Sequence, residues 1–305
     1  MKIYHLNKNS KKIPIENIGG KCTPFIELSK NKIVIPDSYA VEDSFFVEHL
    51  ENIDFWNKID IKKIHKNNGD LDSVLNKAKK LIISSSISDN LYKELKKISN
   101  KNKLWAVRSS ANIEDAKNKS WAGGFESYIG INKKELEKYI KLVWASVFTK
   151  RVVNYLNKPE EIKKIKMAVL LQEAINPDVS GVSFSRVESE DGDYDEILIE
   201  AVHGVGEYLV QGEVTPDRYI VEREECVLLE VDFNEQKNKL SFSNKEELNK
   251  VANSKYKKQK LEGKQIIELS SVIKKIEKIY KDPRDIEWCL KKDKFYILQS
   301  RHITS

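Results

Sequence analysis

The sequence predicts a mixed α+β chain of two lobes, one over about residues 1–175 and the other over about 176–305. Three observations predict it. Leu136, Ile140, Val143, Trp144, Val147, Phe148 and Val152 recur at three- and four-residue spacing and build one helical stripe. The second half is a succession of short strand-like segments. Strands and helices do not alternate regularly enough for a Rossmann sheet, and neither a GxxxxGKS/T loop nor a GxGxxG loop is present.

The elements follow in order. Ile33 to Pro36 reads as a short strand stopped by its proline, and Leu71 to Ile83 as a helix. Asp89 to Ile98 reads as a second helix, with Asp89 as its N-cap. Leu104 to Arg108 and Gly123 to Ile131 read as strands around a polar turn. One long helix is expected from Lys133 to Leu156, closed by Pro159. Five strands are expected next: Met167 to Ala174, Gly181 to Ser185, Glu196 to Val202, Arg218 to Arg223 and Cys226 to Val231. Glu235 to Glu262 is polar and lysine-rich, the pattern of a surface excursion. A helix from Gln265 to Tyr280 precedes a terminal hairpin, Asp285 to Leu290 with Lys294 to Ser300.

Composition narrows the function classes. The chain of 305 residues is 40% hydrophobic and 33% charged, with no apolar run of membrane-span length, so a soluble cytoplasmic protein with no membrane partner is expected. Lysines near Met1 have no apolar core behind them, which is not a signal peptide. Cys22, Cys226 and Cys289 form no CxxC or Cys/His cluster, so neither a zinc site nor a disulfide framework is indicated. Cys22 beside Lys21 would be reactive only near bound phosphates. The net charge is +6, but lysine runs such as Lys255 to Lys260 lack interleaved aromatics. They read as solvated faces, and no nucleic-acid partner is expected.

Five segments concentrate chemistry. Gly19-Gly20-Lys21 lets backbone amides approach an anion beside a point charge, although an ordinary turn with a solvent lysine looks the same. Val107-Arg108-Ser109-Ser110-Ala111, with Glu114-Asp115 and Ser120 to Gly124, offers a guanidinium, hydroxyls and amides suited to polyphosphate. An Arg108 pairing with Glu114 or Asp115 is the plainer alternative. Val169 to Ala174 is an apolar strand ending in the polar Gln172, as in many base pockets and at many ordinary strand ends. His203-Gly204-Val205-Gly206-Glu207, followed by Gly212 to Arg218, is a glycine turn in which His203 reads more readily as a polar cap than as a phosphoryl acceptor. The fifth is the terminal hairpin. With its loop centred on Asp293, Glu287 faces Gln299, and Arg301 shares their face, while Ile286, Trp288, Tyr296 and Leu298 take the other. Oxygen ligands suit Mg²⁺ and the arginine suits a transferring phosphoryl group; a surface salt bridge between Glu287 and Arg301 is the alternative.

Taken together and in order, these segments resemble the nucleotide-binding domain shared by phosphoenolpyruvate synthase, pyruvate phosphate dikinase, rifampin phosphotransferase and the glucan dikinases. The family signatures GGK, VRSSA…ED…FAG, a VQ strand end, GLGE…TPD and DIEW…LQSRP all have counterparts over nearly the whole chain. The resemblance implies a single domain of two-lobed ATP-grasp fold that clamps ATP with Mg²⁺. It implies that Lys21 and Arg108 bind phosphates, Gly123 and Ser127 belong to the covering loop, and Gln172 contacts adenosine. Glu287 and Gln299 match metal- and phosphate-facing positions, and Arg301 matches the terminal catalytic arginine, the same three residues that strand alternation singles out.

There are departures. His302 stands where the family has proline, Phe184 to Glu188 lacks the proline of FTxxP, Val205 replaces the leucine of GLGE, and Trp121 and Phe125-Glu126 differ slightly. No TSHAA-like phosphohistidine motif is present, so the chain is expected to be an excised domain or a subunit of a split enzyme. The resemblance implies that ATP yields its β-phosphoryl group to a histidine on a separate swivelling domain, which passes it to a small-molecule acceptor. A non-catalytic ATP-binding regulatory subunit is the alternative reading.

Overall fold

The computed structural model describes residues 1–7, 13–65, 69–98, 103–113, 124–188, 192, 195–206, 212, 214–241, 244–250 and 257–303. It divides into two compact units, the first of residues 1–26 and 37–174, the second of residues 27–36 and 175–305.

Unit 1 is built on a five-stranded sheet: β1 (Ile3–His5), β2 (Ser38–Val41), β3 (Leu104–Ala111), β4 (Ser127–Asn132) and β5 (Met167–Glu173). Their order is β1-β2-β5-β3-β4, and every pair is antiparallel. Around it are α1 (Thr23–Lys30, whose second half belongs to unit 2), α2 (Ser44–Asn52), α3 (Phe55–Lys58), α4 (Leu71–Ser84), α5 (Asp89–Lys97), α6 (Leu136–Ala145) and α7 (Lys150–Tyr155). Alternation divides the sheet. Trp105, Val107, Val169 and Leu171 point into a core completed by Phe45, Leu75, Ile82, Ile140 and Trp144 from the helices.

Two helical expectations are corrected. The apolar stripe from Lys133 to Leu156 is not one helix. It is a single 3-10 turn, α6, a break at residues 146–149, and α7. At the break Ser146 Oγ donates to the Val143 carbonyl at 2.7 Å, and Thr149 caps α7 by accepting from Val152 N. Val147, Phe148 and Val152 remain fully buried, so the pattern runs on while the backbone does not. The cap of α5 is Ser88, whose Oγ accepts from Leu91 N, rather than Asp89.

Unit 2 holds a six-stranded sheet, order β13-β12-β6-β7-β8-β9, again antiparallel in every pair. Its strands are β6 (Val179–Val187), β7 (Glu196–His203), β8 (Asp217–Glu222), β9 (Leu228–Asp232), β12 (Arg284–Lys291) and β13 (Lys294–His302). Helix α8 (Gly263–Tyr280) enters through a capping box between Glu262 and Gln265 and covers one face with Ile266, Leu269, Ile273 and Ile276. Gly181 is obligatory: a Cβ there would lie 1.9 Å from the Glu200 carbonyl and 2.5 Å from the Trp288 ring. Ile33 to Pro36 forms no strand. Its chain is tied by backbone bonds from Ile33 N to the Leu28 carbonyl and from Ile297 N to the Val34 carbonyl, each at 2.9 Å, and the strand of this region is β2, beyond the proline.

The lysine-rich excursion contains its own two-stranded ladder, β10 (Asn238–Ser241) with β11 (Asn244–Lys250). Its end is not a solvated face. Lys260 and Asp217 are ion-paired at 2.5 Å with neither side chain exposed. A lysine run reads as solvated when only its own segment is weighed; Asp217, forty-three residues earlier, supplies the buried partner.

Candidate functional site

In unit 1 the first two motifs meet. Gly19 has φ +67° and lies so close to β3 that a Cβ would come within 2.1 Å of the Ser110 carbonyl. Ser110 Oγ donates to the Ile18 carbonyl at 2.8 Å, and Lys21 Nζ donates to Ser109 Oγ at 2.9 Å. The Gly-Gly-Lys loop is thus pinned to the Arg-Ser-Ser strand across eighty-eight residues of sequence. Arg108 stands in register with Leu170 and Ser127, and Gln172 with Ala106 and Ser38. Period-two alternation puts Arg108, Ser127 and Gln172 on the face of the sheet opposite Val107 and Leu171. Gly123 lies outside the described residues, as do Glu114 and Asp115. Cys22 is fully buried, so it presents no thiol to solvent.

In unit 2 the terminal hairpin sets Glu287 opposite Gln299 and Asp285 opposite Arg301. The turn is tighter than expected: Lys292 and Asp293 both take positive φ, 49° and 55°, a two-residue connection. A bulge between Glu287 and Trp288 leaves Leu298 as an extra residue and restores the register. In consequence the buried apolar face carries Phe295 and Ile297 rather than Tyr296 and Leu298. Ile286 and Trp288 lie there as expected, with Trp288 Nε1 donating to Ser183 Oγ at 2.8 Å.

Arg301 is oriented by Asp285, to whose Oδ2 its Nε donates at 2.7 Å. Asp285 is buried and Arg301 half exposed, so the carboxylate anchors the guanidinium and leaves its outer donors presented. Asp285 escaped the reading of the sequence, although it is two residues before Glu287 and alternation alone would have placed it. Glu200 and Arg218 lie on the same sheet. They follow Glu287 and Val182 in one register row, with 3.9 Å between the Arg218 guanidinium and the Glu200 carboxylate.

His203 is a buried residue at the end of β7, its backbone clamped by Gln236, which accepts from His203 N and donates to His203 O at 2.8 and 3.0 Å. Two departures acquire local partners: His302 Nδ1 bonds Asp282 at 2.6 Å, and Arg186 donates to Glu277 at 2.8 and 2.9 Å. All three cysteines are buried, and burial pushes the Cys289 thiol up to about 12. Among the described residues no three His, Cys, Asp or Glu side chains assemble as a metal cluster. Magnesium, which keeps waters and takes phosphate oxygens, asks for only one or two protein oxygens, and the Glu287–Gln299 pair fits that demand. Among the described residues no helix is long and apolar enough to cross a membrane.

Comparison with known proteins bears on this geometry. The chain is similar to a probable phosphoenolpyruvate synthase of Archaeoglobus fulgidus, 30% identical over 94% of this chain and 40% of that protein. It is also similar to a probable phosphoenolpyruvate synthase of Methanocaldococcus jannaschii, 29% identical over 95% of this chain and 26% of the relative. A rifampicin phosphotransferase of Bacillus cereus is 35% identical over 66% of this chain and 23% of its own length. The chain therefore spans less than half the length of each of these relatives. The family model for the pyruvate phosphate dikinase AMP/ATP-binding domain matches residues 15–305, and the chain belongs to that family.

Proposed function

We propose that the chain binds Mg-ATP in an ATP-grasp fold whose lobes are the two units, and that it is the ATP-dependent half of a dikinase-type phosphotransferase. The observation that carries the reading is the Lys21–Ser109 bond, which ties the ammonium of the Gly-Gly-Lys loop to the strand that bears Arg108, Ser109 and Ser110. Such a group has the permanent charge and the donors a polyphosphate requires.

In this reading Lys21 and Arg108 bind the phosphates, Gly123 and Ser127 lie over them, and Gln172 contacts adenosine. Glu287 and Gln299 hold Mg²⁺, which neutralises phosphate charge. Arg301, steadied by Asp285, stabilises the β-phosphoryl group as it passes to a histidine of a swivelling domain carried elsewhere in a longer protein or on another subunit. Phosphoryl transfer needs positioning and charge neutralisation more than covalent work by the protein, which matches this residue set. The acceptor is a small molecule chosen by that partner, and the setting is the cytoplasm.

The test is calorimetric titration of the chain with a non-hydrolysable ATP analogue and Mg²⁺. Metal-dependent binding weakened by both Arg108→Ala and Glu287→Ala is expected. A folded wild-type chain that binds nothing overturns the proposal.

A further inference from the structure

Unit 1 carries a second concentration of positive charge, away from Arg108 and Gln172. A cleft of about 630 Å³ opens among α3, the 3-10 turn Ile61–Lys63 and the first turns of α4. These elements send Phe55, Ile59, Ile64 and Leu71 into the core on the helical side of the sheet, whereas Arg108 and Gln172 occupy the other face. Four lysines line the cleft, Lys58, Lys62, Lys63 and Lys77, against one carboxylate, Asp60.

These lysines are placed by the fold. Lys77 Nζ donates to the Lys58 carbonyl at 2.8 Å, Lys58 Nζ to the Ile53 carbonyl at 2.6 Å, and Lys63 Nζ to Asp70 at 3.1 Å. Each of these bonds uses one of three ammonium donors. Asp60 accepts from Lys62 N, which fixes the turn. The floor is apolar, from Ile59, Ile61 and Val74, and one wall is Trp56. That indole is held edge-on to Phe55 at 4.9 Å, and Lys163 stands 5.3 Å over its ring. Like charges around a concave surface build a positive field and repel one another, and a bound anion relieves that repulsion. A bare inorganic anion has no use for an indole wall and an aliphatic floor. The volume lies within the roughly 300–1,000 Å³ typical of small-molecule sites.

We propose that this cleft is a second anion site, which takes a phosphorylated ligand with an aromatic body, of nucleotide class, and holds the phosphates on Lys62 and Lys77 with the ring against Trp56. It does not depend on the nucleotide site proposed above. The test uses ATP and inorganic triphosphate as probes and an Arg108→Ala/Glu287→Ala chain, in which that first site is disabled. This chain is expected to retain one-site ATP binding that quenches tryptophan fluorescence, weakens with added salt and exceeds its binding of inorganic triphosphate. Adding Lys62→Ala and Lys77→Ala, both at exposed positions, is expected to weaken it about tenfold. Trp56→Phe, which keeps the contact with Phe55, is expected to remove the quench and leave the folded baseline intact by circular dichroism. Loss of all ATP binding in the folded Arg108→Ala/Glu287→Ala chain overturns the proposal. So does residual binding indifferent to the two lysines.

Discussion

Lys260→Met tests the buried ion pair most directly. The Asp217 carboxylate accepts four hydrogen bonds: Lys260 Nζ at 2.5 Å and Asn234 N at 2.8 Å on Oδ1, Lys260 N at 2.8 Å and the Tyr219 hydroxyl at 2.9 Å on Oδ2. Neither Lys260 nor Asp217 exposes any side-chain surface. Stranding one member of such a pair costs about 3–5 kcal/mol. Because three neutral donors still reach Asp217 after the ammonium is gone, the lower end, about 3 kcal/mol, is expected, or roughly 6–12 °C in melting temperature. Asp217→Asn strands the ammonium instead, with the Asn234 carbonyl as its remaining acceptor. The Asp217→Asn/Lys260→Met double variant is expected to lose about 2 kcal/mol less than the sum of the singles. Urea denaturation followed by far-ultraviolet circular dichroism measures all three. A loss of less than about 1 kcal/mol for Lys260→Met, or strict additivity in the double variant, would refute the reasoning.

Three further outcomes are expected. Ser109→Ala removes the acceptor that holds Lys21 and should weaken ATP-analogue binding about three- to tenfold by calorimetry, with the melting temperature nearly unchanged; unaltered affinity would detach Lys21 from the site. Gly19→Ala forces a Cβ against the Ser110 carbonyl in a left-handed backbone and should cost about 2–4 kcal/mol, so a wild-type thermal melt would contradict the close approach. Burial, reinforced by Glu42 and opposed by Lys166, pushes the Asp43 carboxyl up to about 6. A raised carboxyl stabilises the fold while protonated, and that stability is lost as pH rises through about 6. Asp43→Asn should therefore stabilise the protein at pH 8 by about 1–2 kcal/mol, the full shift being cut by solvent screening, and change little at pH 4; equal effects at both pH values would exclude the mechanism.

The order of elements was legible because periodicity survives in most of them, but legibility failed where a pattern and its backbone part company. The stripe through Phe148 and Val152 conceals the Ser146–Thr149 break, since core burial continues across a capped interruption. The terminal hairpin is subtler. A turn centred on Asp293 gives the right partner for Glu287, yet the true turn is one residue tighter and the bulge at Leu298 makes up the difference. The two offsets cancel at Gln299 and Arg301 and remain visible at Tyr296 and Leu298. Asp285 was within reach of alternation and was passed over. Lys260 was not within reach, since nothing in its own segment reveals a partner on β8. Nor does spacing announce that Lys21 lands on Ser109, because contacts across eighty-eight residues are fixed by topology.

The early excursion of residues 27–36 into unit 2 has a consequence for biosynthesis. Leu28 and Ile33 belong to the second core, and the Val34 carbonyl waits for Ile297, made 263 residues later. At roughly 5–20 residues per second, a ribosome takes on the order of tens of seconds to deliver that partner. Unit 1 has all of its own strands once residue 174 has emerged, whereas unit 2 must hold an apolar segment in reserve until its last strand arrives. A fragment started at residue 175 would lack that segment from the outset and would expose the positions it covers. The order of manufacture thus makes the second unit the vulnerable one in a nascent chain, and the place where a chaperone would have most to protect.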